Sequence, residues 1–547
     1  MKPTRVVTSR THAAPKSLTR TIFELDYMNP LFTAAAMLIL AAAIAVVVLT
    51  LGMVQFPAED GGIVSMAGWQ LHVGARPYID LPAEGMPPLF LLGAKWAFDV
   101  SGVAWSSLVT ATAIFAALAY AGLCTILLRL RAGTTFSLAL PAVVLSVSMV
   151  SASFWWSNQL TAACAALFLA AALYFVQYPD DRDAKVAFVL TAVVLSWAKA
   201  NSAGLLLVGA AIVLAMTPRL RRRGLCLIAG AATSSIVLLM LAGVDVTAMI
   251  RSYLVGGTRV LSAGNFRTFF LLNDADEARL TLSLLLPAAA SFAGGLVVLA
   301  RRAPRRKVSP AVMLCALGVL TGLVAMGTNN DHNMAEVPVI LTAVTGIILL
   351  TRPYVQGQVE RVLLPSLLVV SLVCFGTAGV TYAVDRHRIR SAGPGCFYED
   401  SALTRFQDPL FLRGLQAGPT MTAAADELAT VLEGNDWEGQ LDAPVYFGPR
   451  LLWAYPAFGV RAAPGLPLWW QPYPQGAPRT DAAIAAFYQA DYRLMIFYRG
   501  DTTFMPPALI NQLAAECTVY QWRNLLLCVP RDGGLQPWLP TDVMQLN

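Results

Sequence analysis

The chain has 547 residues, of which 56% are hydrophobic and only 13% charged, with mean hydropathy +0.59 and a net charge of +6. Soluble domains carry about 25% charged residues, so the composition excludes an ordinary soluble protein and assigns the deficit to segments solvated by lipid. The basic residues are divided among short loops, which argues against a nucleic-acid surface.

Residues 1–29 form a polar tail containing Lys2, Arg5, Arg10, Lys16 and Arg20. The first apolar run lies too far in and is too long for a cleavable signal, so it reads as a retained anchor. Eleven runs of membrane-spanning character follow: 30–53, 104–128, 134–153, 157–177, 184–199, 201–217, 224–243, 280–300, 309–328, 336–351 and 362–383. With eleven spans, the N-terminal tail and the arginines at 129, 131, 219, 221–223, 301, 302, 305, 306, 352 and 361 all fall on one side. By the positive-inside rule that side is the cytoplasm. The loops 54–103 and 244–279, the turn 329–335 and everything after 384 then face outward, across a cytoplasmic (inner) membrane.

The first outward loop opens with Glu59 and Asp60. Residues 61–73 read as a short helix with one apolar side, ended by Gly74, and Pro87–Pro88 begin a second helix over 88–99 that is too short to span. Both are expected to lie along the membrane surface. Asp60 also suits the N-cap of a helix starting at Gly61, and Asp80 suits the closure of the RPYID turn. Lys199 and Asn201 are the only break between the fifth and sixth runs. A lysine there either snorkels at a helix end or marks a site. The loop 244–279, amphipathic and carrying Arg259 and Arg267, and the turn GTNNDHNMAEVP with His332 both read equally as solvated loops.

Residues 385–547 form a separate outward domain of ordinary composition. Strands are expected at 443–447, 492–498, 517–521 and 524–529, and helices at 420–434, 480–490 and 506–516, giving an α/β or α+β fold. The aromatics Trp453, Tyr455, Trp469, Trp470 and Tyr473 suit core packing, with sugar or interface contact as the alternative. Cys517 and Cys528 flank a hairpin and could pair in an oxidising compartment, which leaves Cys396 over. Five further cysteines lie in spans as packing residues. No metal-ligand spacing is present.

The run of Asp60, Gly74, Pro77, Tyr78, Asp80, Pro87, Pro88 and Leu89 resembles the GT-C superfamily of membrane glycosyltransferases. It is most similar to the dolichyl-phosphate-mannose protein mannosyltransferase-like branch (glycosyltransferase family 39 and bacterial relatives). The resemblance covers 30–384 and extends to an LTKG-like turn at Lys199. One departure stands out: that branch has Asp-Glu at the acid position, whereas here Glu59-Asp60 is followed by two glycines, so a role needing both acids, such as metal binding, is not implied.

The resemblance implies a sugar donor on a polyprenyl phosphate and a lipid, glycan or protein acceptor on the outer face. Asp60 would be the catalytic base. Lys199, His332, Arg259 and Arg267 would hold donor phosphate, and Glu59, Tyr78, Asp80 and Glu84 would bind acceptor or sugar. Membrane lipids are implied as partners; a divalent cation stays open as a cofactor. A glycolipid transporter or flippase is the rival reading, set against polar clusters at span ends and no visible repeat.

Overall fold

The computed structural model describes residues 29–83, 85–260, 275–303, 305–328, 337–355, 358–384, 403–468, 470, 478–502, 505–531 and 536–546. Each of the eleven apolar runs contains a helix. These are α1 (Pro30–Gly52), α4 (Trp105–Arg129), α5 (Thr134–Ala152), α6 (Ser157–Gln177), α7 (Arg182–Ser196), α8 (Ala200–Met216), α9 (Arg221–Leu241), α11 (Ala275–Arg302), α12 (Arg305–Thr328), α13 (Val337–Thr351) and α14 (Gln358–Val384). Between α1 and α4 lie α2 (Ala58–His72) and α3 (Pro88–Ser101), and after α9 comes α10 (Val246–Val260). Five helices among the described residues are long and apolar enough to cross a membrane by themselves, and the others are shorter or broken in hydropathy. The chain is an integral membrane protein.

Local chemistry explains the helix ends and neighbours. Asn29 caps α1 by accepting from the Leu31 N–H at 3.0 Å, with Pro30 at the first helical position. The buried residues of α1, Ala41, Ile44, Val48 and Gly52, recur at helical spacing and pack on α4. Its remaining faces, with Leu31, Phe32, Leu38 and Val46, are exposed to lipid. Gly52 is required at the end of α1, because a Cβ there would lie 2.4 Å from the Ser153 carbonyl oxygen. In contrast, α6 is buried on every side. Its alanines let helices approach all around it by dispersion alone, as expected where no hydrophobic effect separates helix from lipid.

The C-terminal domain contains a five-stranded mixed sheet. Its strands are β1 (Val445–Phe447), β2 (Leu494–Tyr498), β3 (Cys517–Trp522), β4 (Leu525–Pro530) and β5 (Met544–Leu546), in the order β1-β2-β4-β3-β5. Only the β1–β2 pair is parallel. The expected helices are present as α15 (Pro419–Gly434), α16 (Pro478–Gln489) and α17 (Pro507–Glu516), each opening on a proline whose missing N–H costs nothing there.

Cys517 and Cys528 lie on the expected hairpin but as free, buried thiols. The two-residue turn Arg523–Asn524 sets a register in which Cys517 faces Pro530 and Cys528 faces Val519. The cysteines are therefore diagonal neighbours on the hairpin, and their two thiols are in hydrogen-bond contact with each other. Cys396 lies outside the described residues. Cys226, expected to be a packing residue, is exposed on α9.

This domain is seated on the end of the bundle where α1 finishes. The Gln55 N–H donates to the Gln416 carbonyl at 2.7 Å, and the Gln416 N–H returns a bond to Met53 at 2.9 Å. Trp453 and Tyr455 are fully buried, with Trp453 against Phe56 at 6.3 Å, so both serve as core. Trp470 is also buried and donates to the Tyr446 hydroxyl at 2.8 Å; Trp469 and Tyr473 lie outside the described residues.

Candidate active site

The acid sits on a buried helix. The Gly61 N–H donates to the Pro57 carbonyl at 2.7 Å, so helical turns begin before Asp60, and α2 starts at Ala58 with Pro57 in the N-cap position. Asp60 is thus a half-buried first-turn residue rather than the cap. A carboxylate in that turn lies near unsatisfied N–H groups and the positive end of the helix.

The single apolar side expected for α2 is also corrected. Ile63, Val64, Met66, Ala67 and Leu71 are almost fully buried, and so are the polar residues Ser65 and Gln70. One side packs on α3, where a Cβ on Gly68 would meet Phe98 at 2.8 Å. The other side meets the C-terminal domain, where a Cβ on Gly62 would touch Leu452 at 3.3 Å and the Trp69 indole donates to the Val460 carbonyl at 2.6 Å. An amphipathic pattern read on the bundle alone could not register this second cover.

The following loop is fixed by its own side chains. Gly74 takes φ +99°, the left-handed geometry that ends α2. The Asp80 carboxylate accepts from the Arg76 main chain at 2.9 Å and from its guanidinium at 2.9 and 2.8 Å. The Arg76 guanidinium holds the Asp80 carboxyl below its ordinary range, at about 2. Tyr78 is buried and donates from its hydroxyl to the Met86 carbonyl at 2.8 Å. Burial, then the neighbouring Tyr253 phenol, pushes the Tyr78 hydroxyl well above the usual tyrosine range.

From there α3 connects the acid's loop to Lys199. The Leu89 N–H donates to the Trp197 carbonyl at 2.9 Å. The Trp155 indole donates to the Leu89 and Phe90 carbonyls at 3.3 and 3.1 Å, and a Cβ on Gly93 would run into that indole at 2.1 Å.

The chain breaks between α7 and α8 as expected. Trp197 ends α7, its indole donating to the Ser235 hydroxyl at 2.9 Å, and Lys199 takes the N-cap position of α8. The Lys199 N–H is satisfied by the Thr161 hydroxyl at 3.1 Å, and its ammonium donates to the Asn158 carboxamide oxygen at 2.8 Å. Lys199, Asn158, Thr161, Ser202 and Thr321 line a cavity of about 20 Å³ with small apolar neighbours such as Ala162, Ala165 and Gly322. Asn158 and Thr161 carry no motif. The only available signal was a Ser-Asn-Gln triplet opening an otherwise apolar, alanine-rich run.

Asp60, the RPYID turn and Lys199 therefore share the end of the bundle that carries the C-terminal domain. Glu84, Arg267 and His332 lie outside the described residues, as do the side chains of Glu59 and Arg259. Among the described residues, no three His, Cys, Asp or Glu side chains are placed to hold a metal ion.

No protein-family model matches the sequence, and no curated protein does. Among solved structures, the chain is similar to ArnT from Cupriavidus metallidurans bound to undecaprenyl phosphate, with TM-score 0.48, 14% identity, and coverage of 91% of this chain and 99% of that one. The apo form of the same protein gives TM-score 0.48 at 13% identity, covering 90% and 98%. Overlap of this degree does not by itself establish shared chemistry.

Proposed function

We propose that the protein is a GT-C-type membrane glycosyltransferase that moves a sugar from a polyprenyl-phosphate donor to an acceptor hydroxyl at the outer face of a cytoplasmic membrane, where its C-terminal domain is extracytoplasmic. The observation that carries this reading is the hydrogen bond from Leu89 to Trp197. It ties the loop that begins with the acid to the break that presents the lysine, at one end of a lipid-embedded bundle.

The chemistry follows from these parts. The acceptor oxygen attacks the anomeric carbon while Asp60 takes its proton. The bond between that carbon and the donor's phosphate oxygen breaks, and the lipid phosphate leaves with the electron pair. A single displacement inverts the anomeric centre. Lys199 and the N-terminal end of α8 offer positive charge to the departing phosphate, and Asn158 fixes where that charge points. Of the other candidates, Glu59, Tyr78, Asp80 and Glu84 contribute to acceptor or sugar binding, Tyr78 and Asp80 by holding the loop in shape. Arg259, Arg267 and His332 supply further donor contacts.

The test is Asp60→Asn in purified membranes given a polyprenyl-phosphate sugar and an envelope glycolipid acceptor. Losing the base should slow transfer by about 10²–10⁴ with insertion unchanged. Wild-type transfer in the variant sinks the proposal. Translocation of the donor without any transfer by the unmodified protein assigns it instead to transport.

A further inference from the structure

Helix α10 follows the lipid-facing α9 after a short turn, and Asp245 caps it by accepting from the Ala248 N–H at 2.9 Å. Its described side chains, up to Leu254, divide between two faces. Thr247, Ile250, Arg251 and Leu254 are exposed on one face, with Ile250 at 51% and Leu254 at 69%. Ser252 is buried on the other.

The inner face is attached to the loop that follows the acid's helix. The Gly85 N–H donates to the Ser252 hydroxyl at 3.3 Å, and that hydroxyl donates to the Ala83 carbonyl at 3.4 Å. The buried Tyr253 hydroxyl lies against the Tyr78 phenol. These contacts bracket Tyr78 to Met86, the segment that runs from the RPYID turn toward α3.

We infer that α10 rests on the bilayer surface and latches this loop to it, so that lipid contact on one face of α10 sets the position of Tyr78 and its neighbours on the other. The occupant of the exposed face is lipid for a reason of continuity. Ile236, Val237, Leu238, Met240 and Leu241 at the end of α9 are exposed apolar residues of a membrane-spanning helix, and Ile250 and Leu254 extend that surface past the turn. Arg251 beside them suits the headgroup layer, where its stem packs on apolar surface and its guanidinium reaches phosphate. Among the described residues the hydrogen bonds to the loop are long, 3.3 and 3.4 Å, so the latch is weak enough to be set by the membrane. The inference needs the membrane location of the chain but not the proposed reaction.

The experiment uses the full chain in nanodiscs of phosphatidylethanolamine and phosphatidylglycerol, a fraction of whose acyl chains carry a diazirine. Illumination and peptide mapping should place adducts on Ile250 and Leu254 as well as on the end of α9. Hydrogen exchange then reads the latch: Ser252→Ala with Tyr253→Ala, and separately Ile250→Asp with Leu254→Asp, should each speed exchange at residues 78–86 by about tenfold while α1 is unchanged. If α9 is labelled and α10 is not, the inference is overturned. Labelling of α10 with loop exchange unmoved in both variants overturns the coupling. The labelling uses the unaltered protein, so it decides even if a variant fails to fold.

Discussion

The Lys199 ammonium lies 2.8 Å from the carboxamide oxygen of Asn158, a contact that orients the cation without adding a negative charge. The contact gives a direct way to test the role proposed for the lysine.

Replacing Asn158 with Leu removes the acceptor and leaves the ammonium's orientation loose. Hydrogen bonds to charged groups contribute about 1.5–3 kcal/mol, so polyprenyl-phosphate affinity should fall by roughly 10- to 100-fold. Asn158→Asp should also weaken binding, through charge neutralisation. Equilibrium binding of polyprenyl phosphate in detergent measures both; unchanged affinity in both variants removes Asn158 from the site.

Gly93 and Gly230 make a matched pair. A Cβ on Gly93 would collide with the Trp155 indole, whereas one on Gly230 meets nothing within 4 Å. Gly93→Ala should cost about 1–3 kcal/mol through overpacking, while Gly230→Ala should stabilise by up to about 1 kcal/mol through helix propensity. Thermal unfolding midpoints in detergent should move in opposite directions.

The RPYID turn should respond to acid in a defined window. The Asp80 carboxyl is held at about 2 by Arg76, below its ordinary value of 3.8. A depressed carboxylate contributes stability that is complete above the unfolded value and is lost as pH falls through the folded one. Protection of the Ile79, Asp80 and Leu81 amides, which bond to the Arg76 carbonyl, should be flat from neutral pH to about 4 and vanish toward about 2. In Asp80→Asn it should be low throughout, and a titration centred near neutrality would contradict the pairing.

Trp453→Ala should loosen the C-terminal domain from the acid's helix. The indole is fully buried against Phe56, and large-to-small changes of this kind cost about 3–5 kcal/mol. Proteolysis should then release the C-terminal domain readily, and transfer should fall in step. Transfer unaffected by domain release would mean that the domain plays no part in positioning Asp60.

Much of this protein was legible from the order of its residues. Lipid imposes long apolar runs because every buried backbone group must bond within its own helix, so all eleven runs, and the break at Lys199, could be read directly. Proline and glycine at Pro88 and Gly74 punctuated the segment between α1 and α4 for the same local reason. Tertiary structure alone decided what covers what. The second face of α2 is buried because a domain nearly 400 residues later in the chain lands on Gly62 and Trp69, a contact with no local trace. Likewise Asn158 and Thr161 became neighbours of Lys199 only when α6 packed beside the α7–α8 break, since hydrogen bonds between distant segments depend on packing geometry and leave no periodicity to read.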